Sequence, residues 1–433
     1  MNRISLVLAQ ALIASSATLA PAEPWAIVDG TVHPIAGPAI ERGVVLIDGA
    51  DIVAVGSAAS VRVPDGAAVV DATGLHMWPG LTDALSYLGL TEISSVRGTV
   101  DLSESGAINP NARAEVAINA STSHVPVTRS NGTLLAAAVP TGSLVPGTAA
   151  AIALDGWTWE EMVRKAPVGL VIQWPSMQPS APNDDDDEAG DMPKWEERVA
   201  RLTEMIEEAR AYEAALEAGE ARDDDVRWES LRTVVRGETP VWIQASSFAE
   251  IRAAMDWTDR HGLRMVLLDG RGSSSGDAWR CATELEARGI PVVLRTNRVP
   301  PRRYEPYDTP FAAPARLHEA GVAIAFGTWN SAHARNLPQE AARAVAFGLP
   351  RDAAERALTL GGAELLGIDD RYGSIEEGKS ATLLLVDGDV LETTMHVERA
   401  WIDGREIDLD DRHKQLHRQW SARPTAGEPG AEP

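Results

Sequence analysis

The sequence predicts an α/β protein: a (β/α)8 TIM-like barrel with a small β-sandwich formed by its N- and C-terminal segments. Three observations predict it. Short apolar strands broken by Asp-Gly turns fill residues 25–74. From residue 77, short apolar runs alternate with helical patterns, the texture of βα units around a parallel sheet. After Gly373 the chain returns to strands, Thr382 to Val386 and Val397 to Ile402, around an Asp387-Gly388 turn. The 433 residues exceed a single core, which rarely grows past about 250–300 residues, and suit one large domain plus a small one.

Residues 1–22 read as a signal peptide. Arg3 supplies the positive start, Ile4 to Leu19 the apolar stretch, and Ala20-Pro21-Ala22 the small-x-small cleavage site. The expected product is periplasmic or secreted, with no membrane attachment after cleavage. Residues 23–75 form the first part of the sandwich. Trp25 to Val28 runs into an Asp29-Gly30 turn, and Gly43 to Ile47 pairs with Asp51 to Val55 across Asp48-Gly49. The barrel spans 76–368. Its eight strands are expected to start near Met77, Leu134, Ala149, Val168, Val241, Met265, Pro291 and Ala323, with helices at 194–218, 246–261, 277–288 and 311–320. A helical pattern continues through 338–367. Residues 369–408 form the second part of the sandwich, since both terminal segments have an apolar face to bury. Residues 409–433 make a last helix and a disordered tail.

Composition excludes several classes. Lys and Arg number 39 against 63 Asp and Glu, a formal charge of -24 that argues against nucleic acid as a partner. A single cysteine, Cys281, rules out an internal disulfide framework and a Cys-rich zinc site. The acidic run Asp184 to Glu188 lacks the spaced ligands of a calcium loop and reads as solvated. Arg295, Arg298 and the stretch Arg302 to Asp308 follow the seventh strand; they form either a rim for an anionic ligand or a surface loop.

Four segments resemble the amidohydrolase superfamily. Val70 to Gly74 followed by Trp78 to Ala84 is similar to its approach to the first barrel strand, and Gly373 to Leu383 to its return into the sandwich. Between them, Pro240 to Ala245 and Phe326-Gly327-Thr328 resemble its fifth and eighth strands. Taken in order, the segments are most similar to the imidazolonepropionase-related branch. The resemblance implies a metal-dependent hydrolase of C–N bonds, typically in cyclic or peptide-like amides. It also implies one or two metals, zinc among them, at the C-terminal ends of the strands.

The residues that chemistry needs are replaced. Leu85 and Tyr87 stand where the family places His-x-His, Gln244 where strand five carries His, Asp269 at the strand-six His, and Asn330 near the strand-eight Asp. Lys165 precedes strand four instead of ending it. Leucine has no lone pair to give, and amides are weak ligands for zinc. No metal and no other cofactor is therefore expected. A reduced site remains, with Asp83, Asp269 and His333 as catalytic candidates and Tyr87, Gln244, Trp329, Asn330 and Arg335 as substrate-binding ones. Two functions are compatible with it. One is an exported hydrolase of C–N bonds with weakened family-type catalysis. The other is a non-catalytic pseudo-hydrolase, binding a small molecule or serving as partner subunit of an active homologue in a hetero-oligomer.

Overall fold

The computed structural model describes residues 24–177, 194–219, 224–272, 274–303 and 305–422. The expected signal peptide, the run Asp184 to Glu188 and the tail after residue 422 lie outside these residues.

Strands β1 (Trp25–Val32), β2 (Ile40–Asp48), β3 (Asp51–Ser57), β4 (Ala68–Asp71) and β5 (His76–Pro79) open the chain. Strands β6 (Leu81–Ser86), β7 (Thr133–Ala138), β8 (Gly147–Ala153), β9 (Val163–Gln173), β10 (Val241–Ala245), β11 (Met265–Asp269), β12 (Val292–Leu294) and β13 (Ile324–Phe326) build the barrel. Strands β14 (Leu383–Val386), β15 (Val397–Ile402) and β16 (Arg405–Glu406) follow and return to the first sheet. The helices are α1 (His124–Arg129), α2 (Trp159–Met162), α3 (Trp195–Glu217), α4 (Val226–Val235), α5 (Phe248–Arg260), α6 (Ala282–Ala287), α7 (Thr309–Glu319), α8 (Leu337–Ala346), α9 (Arg351–Leu358), α10 (Leu360–Leu366) and α11 (Arg412–Ser421).

The barrel sheet runs β13-β12-β11-β10-β9-β8-β7-β6. All eight expected strands are present, with three departures: the fourth, β9, starts at Val163 and not near Val168, so Lys165 lies within the strand and does not precede it. The first begins at Leu81, not Met77, because His76–Pro79 pairs with β1 and β14 in the other sheet. The third, β8, runs antiparallel to both neighbours. Only residues 139–146 join β7 to β8, and a parallel crossover needs about a dozen residues or more. A connection of hairpin length can only reverse the strand.

The expected helices appear within a few residues. Ser247 and Glu250 form a reciprocal capping box that starts α5. The 277–288 helix is a short 3-10 turn, Ala278–Cys281, leading into α6. Helix α4 has no counterpart among the expected elements. Its buried residues are Leu231 and Val234, too narrow a stripe to read as amphipathic.

The terminal segments join one continuous sheet, β16-β15-β14-β5-β1-β2-β3, with β4 alongside β1. The sheet folds back on itself. The rings of Trp25 and Trp401 lie 5.4 Å apart, and Ala381 N–H donates to Ala50 O at 2.8 Å. Strand β14 is buried on both faces. Leu383 and Leu385 enter the small core with Ile27, Val45 and Met77, while Leu384 and Val386 join the barrel core. Alternation along the strand produces this division, and it explains why Leu383 to Val386 is apolar throughout. The Asp29-Gly30 pair is a bulge within β1 and not a turn. Asp29 takes a left-handed φ of 63°, and the pairing with β2 shifts there.

Within the barrel, the register places Val171, Trp242, Gln244, Leu268, Val293 and Ala325 on one face. Gly169 shares that face, since a β-carbon there would come within 2.2 Å of the Trp242 ring. Trp174 points the other way and meets Trp257 of α5 edge-on at 5.9 Å. Trp242 thus fills the barrel interior, while Trp174 packs between sheet and helices.

Gly169→Ala sets a methyl against a rigid ring. It should cost about 1–3 kcal/mol, the usual cost of overpacking, read as a lower denaturant midpoint with an unchanged slope. An unchanged midpoint would mean that Trp242 does not fill the interior as described.

Candidate functional site

A cavity of about 560 Å³ opens beside the ends of the last two barrel strands. Arg295, Asn297 and Arg298 reach it from the segment after β12, and Thr328, Trp329, Asn330 and His333 from the segment after β13. Asn336, Gln339, Glu340 and Arg343 come from the start of α8, and Gly272 and Thr393 complete the wall. This is the C-terminal side of the parallel strands, where βα segments assemble barrel sites.

The cavity depends on how the barrel closes. Strands β6 and β13 share no ladder in the sheet order. Instead, the N–H groups of Thr328 and Trp329 both donate to Leu85 O at 2.9 Å. The Asp83 carboxylate reinforces the seam. Its Oδ1 accepts from Leu85 N–H and Thr328 N–H at 3.1 Å each, and its Oδ2 from the Thr328 hydroxyl at 2.5 Å. Burial pushes its pKa up to about 8, against the pull of these donors. Asp83 therefore holds the barrel shut and does not line the cavity. A β-carbon on Gly327 would come within 2.8 Å of Leu85 Cβ and 3.0 Å of the Trp329 ring, so glycine permits the close approach.

The candidate residues divide in two. Trp329, Asn330 and His333 line the cavity. His333 N–H donates to Asn330 Oδ1 at 3.0 Å. Burial, then Arg298, Arg335 and His124, hold the His333 imidazole below its usual pKa, so it is neutral near pH 7 and able to accept a proton. Tyr87 is not in the lining; its hydroxyl bonds to Thr141 and interacts with Arg295.

Besides Asp83 and Tyr87, three candidates do not line the cavity. Gln244 is buried and donates from Nε2 to Gly270 O at 2.9 Å. Asp269 pairs in register with Ala245, so it faces away from the side chains of Gln244 and Leu268. Its Oδ1 accepts from Ala278 N–H at 3.2 Å, tying down the following helical turn, and burial raises its pKa to about 7. The strand-six candidate is thus on the wrong face, by one residue of parity. Arg335 reaches instead to His413 of α11, Nη1 to Nδ1 at 2.8 Å. Arg302 is likewise absorbed, bonding Asp277 Oδ2 at 2.8 Å.

Sequence reasoning missed Glu340, Arg343, Gln339, Asn336, Asn297 and Thr393. Glu340 Oε2 accepts from Thr296 N–H at 2.5 Å and Asn297 N–H at 2.7 Å, which shapes the segment carrying Arg295 and Arg298. Burial raises its pKa to about 7. A signal was available: the helix after a barrel strand starts at the mouth, so its first turns point their side chains there.

The positions that the resemblance gives to metal ligands carry side chains that are engaged elsewhere. Leu85 is packed in the main core, Gln244 is committed through its amide nitrogen, and Asn330 Oδ1 is engaged with His333. Lys165 Nζ donates to Gly367 O at 2.8 Å, beneath the barrel. Among the described residues, no three His, Cys, Asp or Glu side chains are grouped to hold a metal ion.

Residues 280–407 match the model of the amidohydrolase family. Amidohydrolase tasK of Hapsidospora irregularis is 24% identical over 392 residues, covering 79% of this chain; the chain spans only 37% of that protein's length. Among solved structures, an amidohydrolase from Thermotoga maritima MSB8 superimposes with a TM-score of 0.76 at 24% identity, covering 88% of this chain and 99% of its own. A prolidase complexed with N-methylphosphonate-L-proline gives a TM-score of 0.53 at 16% identity, covering 89% and 99%. These likenesses show that the barrel and its outer sheet have the amidohydrolase fold.

Asp83 has a pKa raised on folding, so the folded chain holds its proton more tightly. That contribution is complete below about pH 4, near the ordinary carboxyl value. It is lost as pH rises to about 8. Asn is the shape of the protonated acid, so Asp83→Asn should fold, and its melting temperature should fall less than the parent's between pH 5 and 8. Parallel melting curves would contradict the burial argument.

Proposed function

With the family match and the amidohydrolase fold as its frame, we propose that this chain is an exported amidohydrolase-superfamily protein whose metal site is degenerate. Its barrel mouth binds a small molecule, and hydrolysis of C–N bonds in non-peptide or cyclic amides by the metal route is weak or lost. Similarity to the imidazolonepropionase-related branch is part of this reading, and so is the periplasmic or secreted location drawn from residues 1–22. No helix among the described residues is long and apolar enough to cross a membrane.

The observation that carries the reading is Leu85. Hydrolysis in this fold needs a polarised water, and a metal supplies it by lowering the water's pKa. At the position that should help hold the ion stands a leucine 2% exposed, its carbonyl accepting the two N–H groups that close the barrel. The interior beneath is filled by Trp242, whose indole N–H meets no acceptor among the described residues, so its place there is volume rather than bonding. What remains at the mouth is chemistry for binding: cationic side chains, carboxamides and one neutral imidazole.

A second reading, a non-catalytic partner subunit acting beside an active homologue, rests on the same side chains, a leucine at position 85 and carboxamides at positions 244 and 330.

Purified protein supplied with zinc and dialysed should retain far less than one ion per chain by elemental analysis, and dipeptide and cyclic-amide hydrolysis should not exceed a blank. Leu85→His with Tyr87→His should not create tight zinc binding, because positions 244 and 330 remain amides. Nanomolar zinc affinity in that double variant, or stoichiometric zinc with turnover in the parent, would refute the proposal.

A further inference from the structure

We propose that the cavity at the barrel mouth is a site for a small organic dianion, held by the guanidinium groups of Arg295, Arg298 and Arg343. The proposal rests on reading the mouth as a binding site and names what that site takes.

Charge is the first ground. Asp and Glu outnumber Lys and Arg 63 to 39, and many arginines pair with a carboxylate, among them Arg129, Arg232, Arg288, Arg302 and Arg351. Among the described residues Arg295, Arg298 and Arg343 do not form an ion pair, yet all line one cavity. The carboxyl in the same wall, Glu340, is turned to the backbone N–H groups of Thr296 and Asn297 and is not spent on a guanidinium. His333 adds no charge near neutral pH. The cavity therefore gathers three guanidinium groups against the single carboxyl of Glu340, an excess that a ligand with two negative charges matches.

Placement is the second. Arg295 is held in advance: its Nη2 donates to Gly272 O, and its guanidinium lies 5.2 Å from the centroid of the Trp329 ring. Arg343 stacks on Phe311 at 5.1 Å. Aromatic faces position a guanidinium without consuming its N–H donors, which stay free for an oxyanion.

Backbone strain is the third. Arg298 and Trp329 both adopt left-handed φ, 59° and 49°. Neither side chain favours that region, and both line this cavity. Strain of this kind persists where surrounding structure imposes it, and here it carries a cation and its aromatic neighbour to the same opening. A volume of about 560 Å³ suits a molecule of metabolite size.

Calorimetric titration with N-acetyl-L-glutamate, N-acetyl-L-glutamine and N-acetyl-L-glutamic acid diamide compares two, one and no negative charges on nearly one shape. Inorganic phosphate is the fourth probe. Each charge removed should weaken binding about tenfold, and added salt should weaken the dianion most. Arg295→Gln and Arg343→Gln should each cost about tenfold or more. Arg298→Gly should lose affinity while its melting temperature stays level or rises, since glycine accepts the left-handed φ; that separates loss of a ligand contact from loss of the fold. Saturation by phosphate with weaker N-acetylglutamate binding would support the dianion site with a phosphoryl source. Equal binding of the diamide, or no saturable binding by any probe, overturns the proposal. Zinc content and hydrolysis decide the preceding reading independently of these titrations.

Discussion

The junction between β6 and β13 is the constraint on which the rest of the molecule depends. A barrel removes its edges only if the last strand meets the first. Here no regular ladder does this. One carbonyl, Leu85 O, takes the N–H groups of Thr328 and Trp329, and one carboxyl, Asp83, shares the Thr328 N–H and takes the Leu85 N–H and the Thr328 hydroxyl. A carboxyl buried without a cation is tolerable when donors surround it or when it keeps its proton, and Asp83 does both. Closing the seam also forces Gly327 against Leu85 and turns Trp329 into its left-handed conformation. The shape of the mouth follows from the way the sheet is closed.

Beside this junction Leu85 is buried and Trp242 fills the barrel interior, and the polar cavity is lined by the segments after β12 and β13 and by α8. Glu340 braces those segments by accepting from Thr296 and Asn297, leaving Arg295 and Arg298 directed at open space. Elsewhere the arginines do structural work. Arg302 ties the strand-seven segment to Asp277, and Arg335 ties the strand-eight segment to α11. Identical side chains within a few residues of each other serve opposite ends, and only their partners distinguish them.

The fold was largely legible because its signals are local. Period-two and helical patterning located all eight barrel strands and the main helices, and the apolar faces of the terminal segments required them to share a sheet. The site was legible only in part. Trp329, Asn330 and His333 follow β13 and do reach the cavity, whereas Asp83, Asp269, Gln244 and Arg335 have the right chemistry in the right neighbourhood but are turned to hydrogen bonds elsewhere.

The sequence by itself determined the order and kind of elements and the excess of acidic over basic side chains, because these are properties of residue type and spacing. Tertiary structure decided the direction of β8, the face on which Asp269 lies, the seam that consumes Asp83, and which arginines are left without a carboxylate. Each of these depends on a partner distant along the chain or on one residue of strand parity. Composition and periodicity carry no information on either until the chain has closed on itself.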